Sequence, residues 1–192
     1  MSDSPEINPW RTLSSNQVYV NPWIQVEHRE VIAPTGKPGI YGVVHMKNKA
    51  VGIVPVDDEG HTWLVGQYRY ATECYSWEIP MGGAPHDEWT ADAARRELQE
   101  ETGLIADELS ELMRLHTSNC VTDEQGVVYV ARMLTQVGWN PDETEELKVR
   151  RLPLQEAVSM ALSGAITDAI SVAALLKIAL QHPEWLTQSE QG

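Results

Sequence analysis

The stretch Gly82-Gly83-Ala84-Pro85-His86-Asp87-Glu88-Trp89-Thr90-Ala91-Asp92-Ala93-Ala94-Arg95-Arg96-Glu97-Leu98-Gln99-Glu100-Glu101-Thr102-Gly103 decides how the chain reads. Residues 81–87 read as a Gly-rich loop. A helix follows from about Trp89 to Thr102, with Asp87 or Thr90 as N-cap and Gly103 placed to stop it. Ala91, Ala94 and Leu98 share the helix face that packs on a sheet. Glu97, Glu100 and Glu101 stand at i, i+3 and i+4, so their carboxylates crowd one stripe. Like charges at i, i+4 cost about a few tenths of a kcal/mol even when exposed, and no lysine is interleaved here. Hard oxygen ligands at this spacing suit Mg²⁺ or Mn²⁺, whose charge turns the repulsion into attraction. An acidic solvent-facing stripe is the alternative that spacing alone leaves open.

Upstream of this segment, residues 23–32 alternate apolar and polar and predict a strand with one dry face. Pro34-Thr35-Gly36-Lys37-Pro38-Gly39 breaks it. Residues 40–46, 50–56 and 62–67 are rich in Val, Ile, Trp and Tyr. They are separated by Lys47-Asn48-Lys49 and Asp57-Asp58-Glu59-Gly60, which predicts an antiparallel meander. Residues 76–79 form a shorter strand ending at Pro80. Residues 1–22, polar and carrying Pro5, Pro9 and Pro22, read as an arm. Downstream, residues 112–116, 127–134 and 147–152 return to strand character. Helices then run from Pro153 to about Leu162, stopped by Gly164, and from Asp168 to about Gln181, stopped before Pro183. Strands, one central helix, more strands and two closing helices make an α+β fold, a mixed sheet covered by helices.

Composition narrows the function. The chain has 192 residues, 14 Lys and Arg against 28 Asp and Glu, and a formal charge of −14. Phosphate backbones and anionic membranes need a basic surface, so neither nucleic acid nor membrane is expected as a partner. The longest apolar run, residues 169–180, is short and contains Ser171 and Lys177. Cys74 and Cys120 form no CxxC pair, which excludes a disulfide framework or thiolate zinc site and favours a reducing, cytoplasmic setting. No signal peptide is visible at the start.

Gly82, five residues, Glu88, seven residues, then Arg96-Glu97-Leu98-Gln99-Glu100-Glu101-Thr102-Gly103-Leu104 resembles the Nudix box in every specified position. Seven fixed identities at a usage of roughly 6% each coincide by chance about once in 10⁸ starts or fewer. Residue by residue, Gly82 frees the backbone to turn sharply and approach metal or phosphate, and Gly103 caps the helix. Arg96, one residue before Glu97 and four before Glu100, has a fork that can hold a ligating carboxylate in place. The resemblance implies a Nudix-type α/β/α sandwich with an N-terminal antiparallel β-region. It makes Glu97 and Glu101 the ligands for Mg²⁺, with Mn²⁺ a substitute, Glu100 supporting or also ligating, and the Met81 carbonyl an added ligand. Glu88 is implied as structural at the junction of loop and helix, with Gly82 and Gly103.

Flanking segments resemble the branch that cleaves ADP-ribose and nucleoside diphosphate sugars. Gln67-Tyr68-Arg69-Tyr70 followed by Trp77-Glu78-Ile79-Pro80-Met81-Gly82 is similar to that branch's lead into the box, which makes Arg69 a substrate-phosphate or ribose contact. Asp142-Glu143-Thr144-Glu145-Glu146-Leu147 resembles the acidic loop that supplies a general base and a further ligand. By register Glu143 is the base and Glu145 the ligand, with Glu146 in competition. Residues 164–171 resemble the branch's last helix. Where the ADP-ribose enzymes usually carry a proline, this chain has Ser118-Asn119-Cys120-Val121, so ADP-ribose, GDP-mannose and ADP-glucose all stay open as substrates. The implied catalytic set is Glu143, Glu100 and Arg96. The implied organisation is residues 1–40 for dimerisation, with strands exchanged between subunits, and 41–192 for Mg²⁺-dependent hydrolysis of a nucleotide sugar. A sensor that binds a nucleotide sugar without cleaving it, and a hydrolase of nucleoside triphosphates or dinucleotides, are the alternatives.

Overall fold

A computed structural model describes residues 7–138 and 147–186. Two compact units divide the chain, residues 1–48 with 118–124, and residues 49–117 with 125–192.

The first unit is an antiparallel sheet of β1 (Arg11–Val20), β2 (Ile24–Ile32) and β3 (Pro38–Met46), in that order. The segment expected to be an arm therefore contains a strand, paired with β2 from Arg11↔Ile32 to Val20↔Gln25. Its sequence hides this because β1 is exposed along almost its whole length and never has to alternate. Cross-strand polar contacts take the place of a dry face. The Ser15 hydroxyl donates to Glu27 Oε2 at 2.7 Å, for example. Residues 118–124 dock onto β3, where Val44 N–H donates to the Val121 carbonyl at 2.8 Å and the Tyr41 hydroxyl donates to the Cys120 carbonyl at 2.7 Å.

The second unit holds β4 (Asn48–Pro55), β5 (His61–Arg69), β6 (Cys74–Glu78), β7 (Met81–Pro85), β8 (Leu104–His116), β9 (Gln125–Gln136) and β10 (Lys148–Pro153). Its helices are α1 (Thr90–Thr102), α2 (Leu154–Ser163) and α3 (Ala169–Gln181). One sheet runs β7-β4-β9-β8 and the other β10-β5-β6. The expected meander of residues 40–67 does not form. β3 stays with β2, β4 pairs in parallel with β9 from Ala50↔Gly126 to Pro55↔Ala131, and β5 pairs with β6 and β10. The turn residues mark where the chain reverses, and Gly60 does adopt φ +76°, but a turn does not dictate which edges hydrogen-bond.

β4 and β9 carry near-continuous apolar runs because both faces of their sheet are buried. Val51, Ile53, Val127, Tyr129 and Ala131 pack with Ala93, Ala94 and Leu98 of α1. Alternate residues Val54, Val56, Val128 and Val130 pack with Leu154, Ala157, Leu175 and Ile178 of α2 and α3. The architecture is α+β, with a mixed sheet and antiparallel N-terminal strands. Among the described residues no helix is long and apolar enough to cross a membrane.

Two local expectations around α1 are corrected. Residues 81–85 are strand β7 rather than loop, since the extended backbone after Pro80 finds a partner in β4. The helix N-cap is Trp89, with no side-chain cap, rather than Asp87 or Thr90. Thr90 instead hydrogen-bonds the Tyr129 hydroxyl at 2.7 Å. Gly103 ends α1 as expected, at φ +71°, with its N–H on the Gln99 carbonyl.

Candidate active site

β7 and α1 lie side by side, and their contact generates a cavity of about 230 Å³ lined by Met81, Gly82, Gly83, Glu97, Glu100 and Glu101. Glycine at position 82 is needed for proximity rather than for a turn. A Cβ there would lie 2.0 Å from Glu97 Cδ and 2.2 Å from each carboxylate oxygen, so the Glu97 carboxylate occupies space that any other residue would fill.

Arg96 organises the carboxylates, and all five of its N–H groups are donated. Nε and Nη2 reach Glu88 at 3.4 and 3.1 Å. Nη1 reaches Glu97 Oε1 at 2.7 Å and Glu100 Oε2 at 3.0 Å, and Nη2 also reaches the Gly83 carbonyl at 3.0 Å. The Glu88 hydrogen bond, with the charges of Glu97 and Glu100, keeps the guanidinium more firmly protonated than usual. Burial nevertheless pushes the Glu97 carboxyl above the ordinary carboxylate value, because desolvation and Glu100 outweigh Arg96 and the Gly83 backbone. Glu101, 5% exposed, accepts the Met81 N–H on Oε2 at 2.8 Å, which fixes the Met81 peptide beside the acid stripe.

Three carboxylates, Glu88, Glu97 and Glu100, thus share one guanidinium, and Glu101 lines the same cavity. The donor set is all oxygen, and glycine at position 82 leaves room for a partly desolvated carboxylate. These features fit a hard divalent cation held by Glu97 and Glu101, with Glu100 beside them.

The other predicted residues divide. Glu143, Glu145 and Glu146 lie outside the described residues. Arg69, expected at a substrate phosphate or ribose, is tied to Glu78, with Nε donating to Oε1 at 2.9 Å and Nη2 to Oε2. Sequence reasoning missed Glu78, 4% exposed on β6, although a charged residue inside Trp77-Glu78-Ile79 was a signal. A second group, Asp57, Glu59 and His61, brings ligand atoms within 4.8 Å of one another. Arg151 Nη2 already bridges Asp57 and Glu59 at 2.6 Å each, which gives both carboxylates a cationic partner without a metal.

The sequence matches the NUDIX domain over residues 46–175 and the nucleoside diphosphate sugar hydrolase N-terminal domain over residues 10–44. An ADP-ribose pyrophosphatase of Bacillus subtilis is 31% identical over 177 residues, covering 89% of this chain and 95% of its own. An ADP-ribose pyrophosphatase of Mycobacterium tuberculosis is 32% identical over 178 residues, covering 88% and 83%. The crystal structure of an ADP compounds hydrolase superposes with a TM-score of 0.81 at 26% identity, over 98% of this chain and 100% of that one.

Proposed function

Because the chain belongs to the NUDIX domain family, we propose that it hydrolyses the diphosphate of a nucleoside diphosphate sugar, giving a nucleoside monophosphate and a sugar phosphate. The observation that carries this reading is the Glu97 carboxylate seated against Gly82 and gripped by Arg96, beside Glu101 on the Met81 peptide. The match of residues 10–44 to a nucleoside diphosphate sugar hydrolase segment supports the substrate class.

Nudix hydrolases use a divalent cation, and we take Mg²⁺ as the ion here, with Mn²⁺ as a substitute. Glu97, Glu101 and the Met81 carbonyl would hold it, with Glu100 beside them and Glu145 added from the acidic loop. When bound, such a cation polarises the phosphoryl oxygens and makes a coordinated water more acidic. Arg96 keeps Glu97 and Glu100 in one arrangement through the reaction. Arg69 contacts a substrate phosphate, and Glu143 accepts the proton of the attacking water. Glu88 and Gly82 hold the junction of β7 and α1, and Gly103 that of α1 and β8.

The same reading gives residues 1–40 a role in association and 41–192 the chemistry. Large exposed apolar side chains on the N-terminal unit, including Trp10, Leu13, Val18, Trp23 and Ile40, support a homodimer formed through this region. Cys74 and Cys120, both free and exposed, support a reducing, cytoplasmic setting.

The deciding experiment is a panel of nucleoside diphosphate sugars, triphosphates and dinucleotides with Mg²⁺, scored by chromatography with and without chelator. The expected products come from the sugars, including ADP-ribose, GDP-mannose and ADP-glucose, and disappear with chelator. Binding without turnover would make the protein a sensor, and turnover confined to triphosphates or dinucleotides would overturn the substrate class. Within the active panel, Glu143→Gln should lower kcat by about two orders of magnitude with KM nearly constant. An unaffected rate would move the base to Glu145 or Glu146.

A further inference from the structure

Two carboxylates are buried to 5% exposure or less among the described residues, Glu101 and Glu78. Glu101 belongs to the acid stripe, whereas Glu78 has no part in the reaction as described so far. It sits on β6 opposite Val65 of β5, where an apolar residue would pack without cost. A buried ion pair seldom adds stability over such packing, so its presence calls for another reason.

The geometry supplies one. An arginine has five N–H groups along the edges of a planar fork. Glu78 takes one edge of Arg69, the Nε and Nη2 side. The Nη1 edge has no partner among the described residues. The Arg69 side chain is 41% exposed against 5% for Glu78, so the pair is buried at its carboxylate end and open at its guanidinium end. Burial alone would raise the Glu78 carboxyl, but the hydrogen bonds and charge of Arg69 outweigh it and hold it ionised below the usual range. The Glu78 hydrogen bond and the charges of Glu78, Asp168 and Glu101 keep the Arg69 guanidinium more firmly protonated than usual, and Glu78 lies three residues before Met81, whose N–H donates to Glu101.

We propose that Glu78 is a positioning residue: it grips one edge of Arg69 so that the other edge is presented to the substrate diphosphate beside Glu101. This rests on the nucleotide-sugar reading above. A two-donor edge of a planar guanidinium matches two oxygens of a phosphate.

The test is steady-state kinetics on the best substrate of the panel, with thermal melting, for wild type, Glu78→Gln, Arg69→Lys and the double variant. Glu78→Gln should raise KM about tenfold while kcat stays within about threefold, because a ground-state phosphate contact loses its direction. Arg69→Lys keeps a charge for Glu78 but has no second edge, so it should raise KM by a similar factor without unfolding the chain. The double variant should be no worse than Arg69→Lys alone, since both changes act through one contact. A lower melting temperature with unchanged KM in Glu78→Gln, or effects that multiply in the double variant, would overturn the proposal. Should Glu78→Gln fail to fold, an unchanged KM in Arg69→Lys overturns it equally. Absence of any wild-type turnover would remove the nucleotide-sugar reading and this inference together, whereas unmoved KM values beside normal wild-type turnover remove the inference alone.

Discussion

Glu101→Gln is expected to lower kcat by about three orders of magnitude or more while leaving the chain folded, since Lewis-acid stabilisation of a phosphoryl transition state is worth several kcal/mol and each 1.4 kcal/mol is tenfold. The substitution isolates charge from shape. Glu101 is 5% exposed, and its Oε2 accepts the Met81 N–H at 2.8 Å. Glutamine has nearly the same volume and keeps one carbonyl oxygen that can accept that hydrogen bond, so the contact between α1 and β7 survives. What is lost is one of the negative charges that hold the cation; a higher Mg²⁺ concentration refills the site by mass action but does not restore that charge, so it should recover only part of the rate. Turnover assays across a Mg²⁺ titration, with a melting curve on the same sample, check this. Wild-type turnover in Glu101→Gln would remove it from the metal site.

The second large effect is expected from a single methyl group. Gly82→Ala places a carbon 2.0 Å from Glu97 Cδ, far inside any non-bonded contact, so the carboxylate must withdraw. It cannot withdraw freely, because Arg96 Nη1 holds Oε1 at 2.7 Å and the side chain is 13% exposed. We expect kcat to fall about a hundredfold or more from a displacement of this size at a ligand. The backbone of β7 is extended at this position, a conformation that alanine adopts readily, so the fold should persist. A compensating change separates this account from general damage. Glu97→Asp in the Gly82→Ala background shortens the side chain by one methylene and should recover part of the lost activity. If Gly82→Ala has normal kinetics, the packing of Glu97 against that glycine has no bearing on catalysis.

Legibility in the sequence followed the range of the interaction concerned. The acid stripe, the apolar face of α1 and its end at Gly103 depend on residues within a few positions of one another, and these the periodicity discloses. The apolar runs of β4 and β9 disclose strands, but not that Ala50 faces Gly126 in a parallel pair, because burial on both faces erases the alternation that carries register. β1 was hidden by the opposite condition, since a strand wet on both sides has no apolar pattern to read. Glycine at position 82 suggests conformational freedom when read alone. Its actual reason, the Glu97 carboxylate pressed against it, comes from a residue fifteen positions later on another element. Arg69 was singled out for the substrate, but the buried partner that takes half its hydrogen-bonding edge could be found only once β5 and β6 were paired.

Residues 118–124, which dock onto β3, belong to the N-terminal unit although the chain reaches them between β8 and β9. The polypeptide therefore passes from one unit to the other three times, at 48/49, 117/118 and 124/125. As an inherited piece, the N-terminal sheet is not a detachable cassette. A recombination or truncation near residue 48 would carry off three strands and leave behind the seven-residue segment that completes them, with Val121 and Cys120 carbonyls stripped of the donors they meet here. Exchange of N-terminal regions among related chains then requires a matched exchange at the β8–β9 turn.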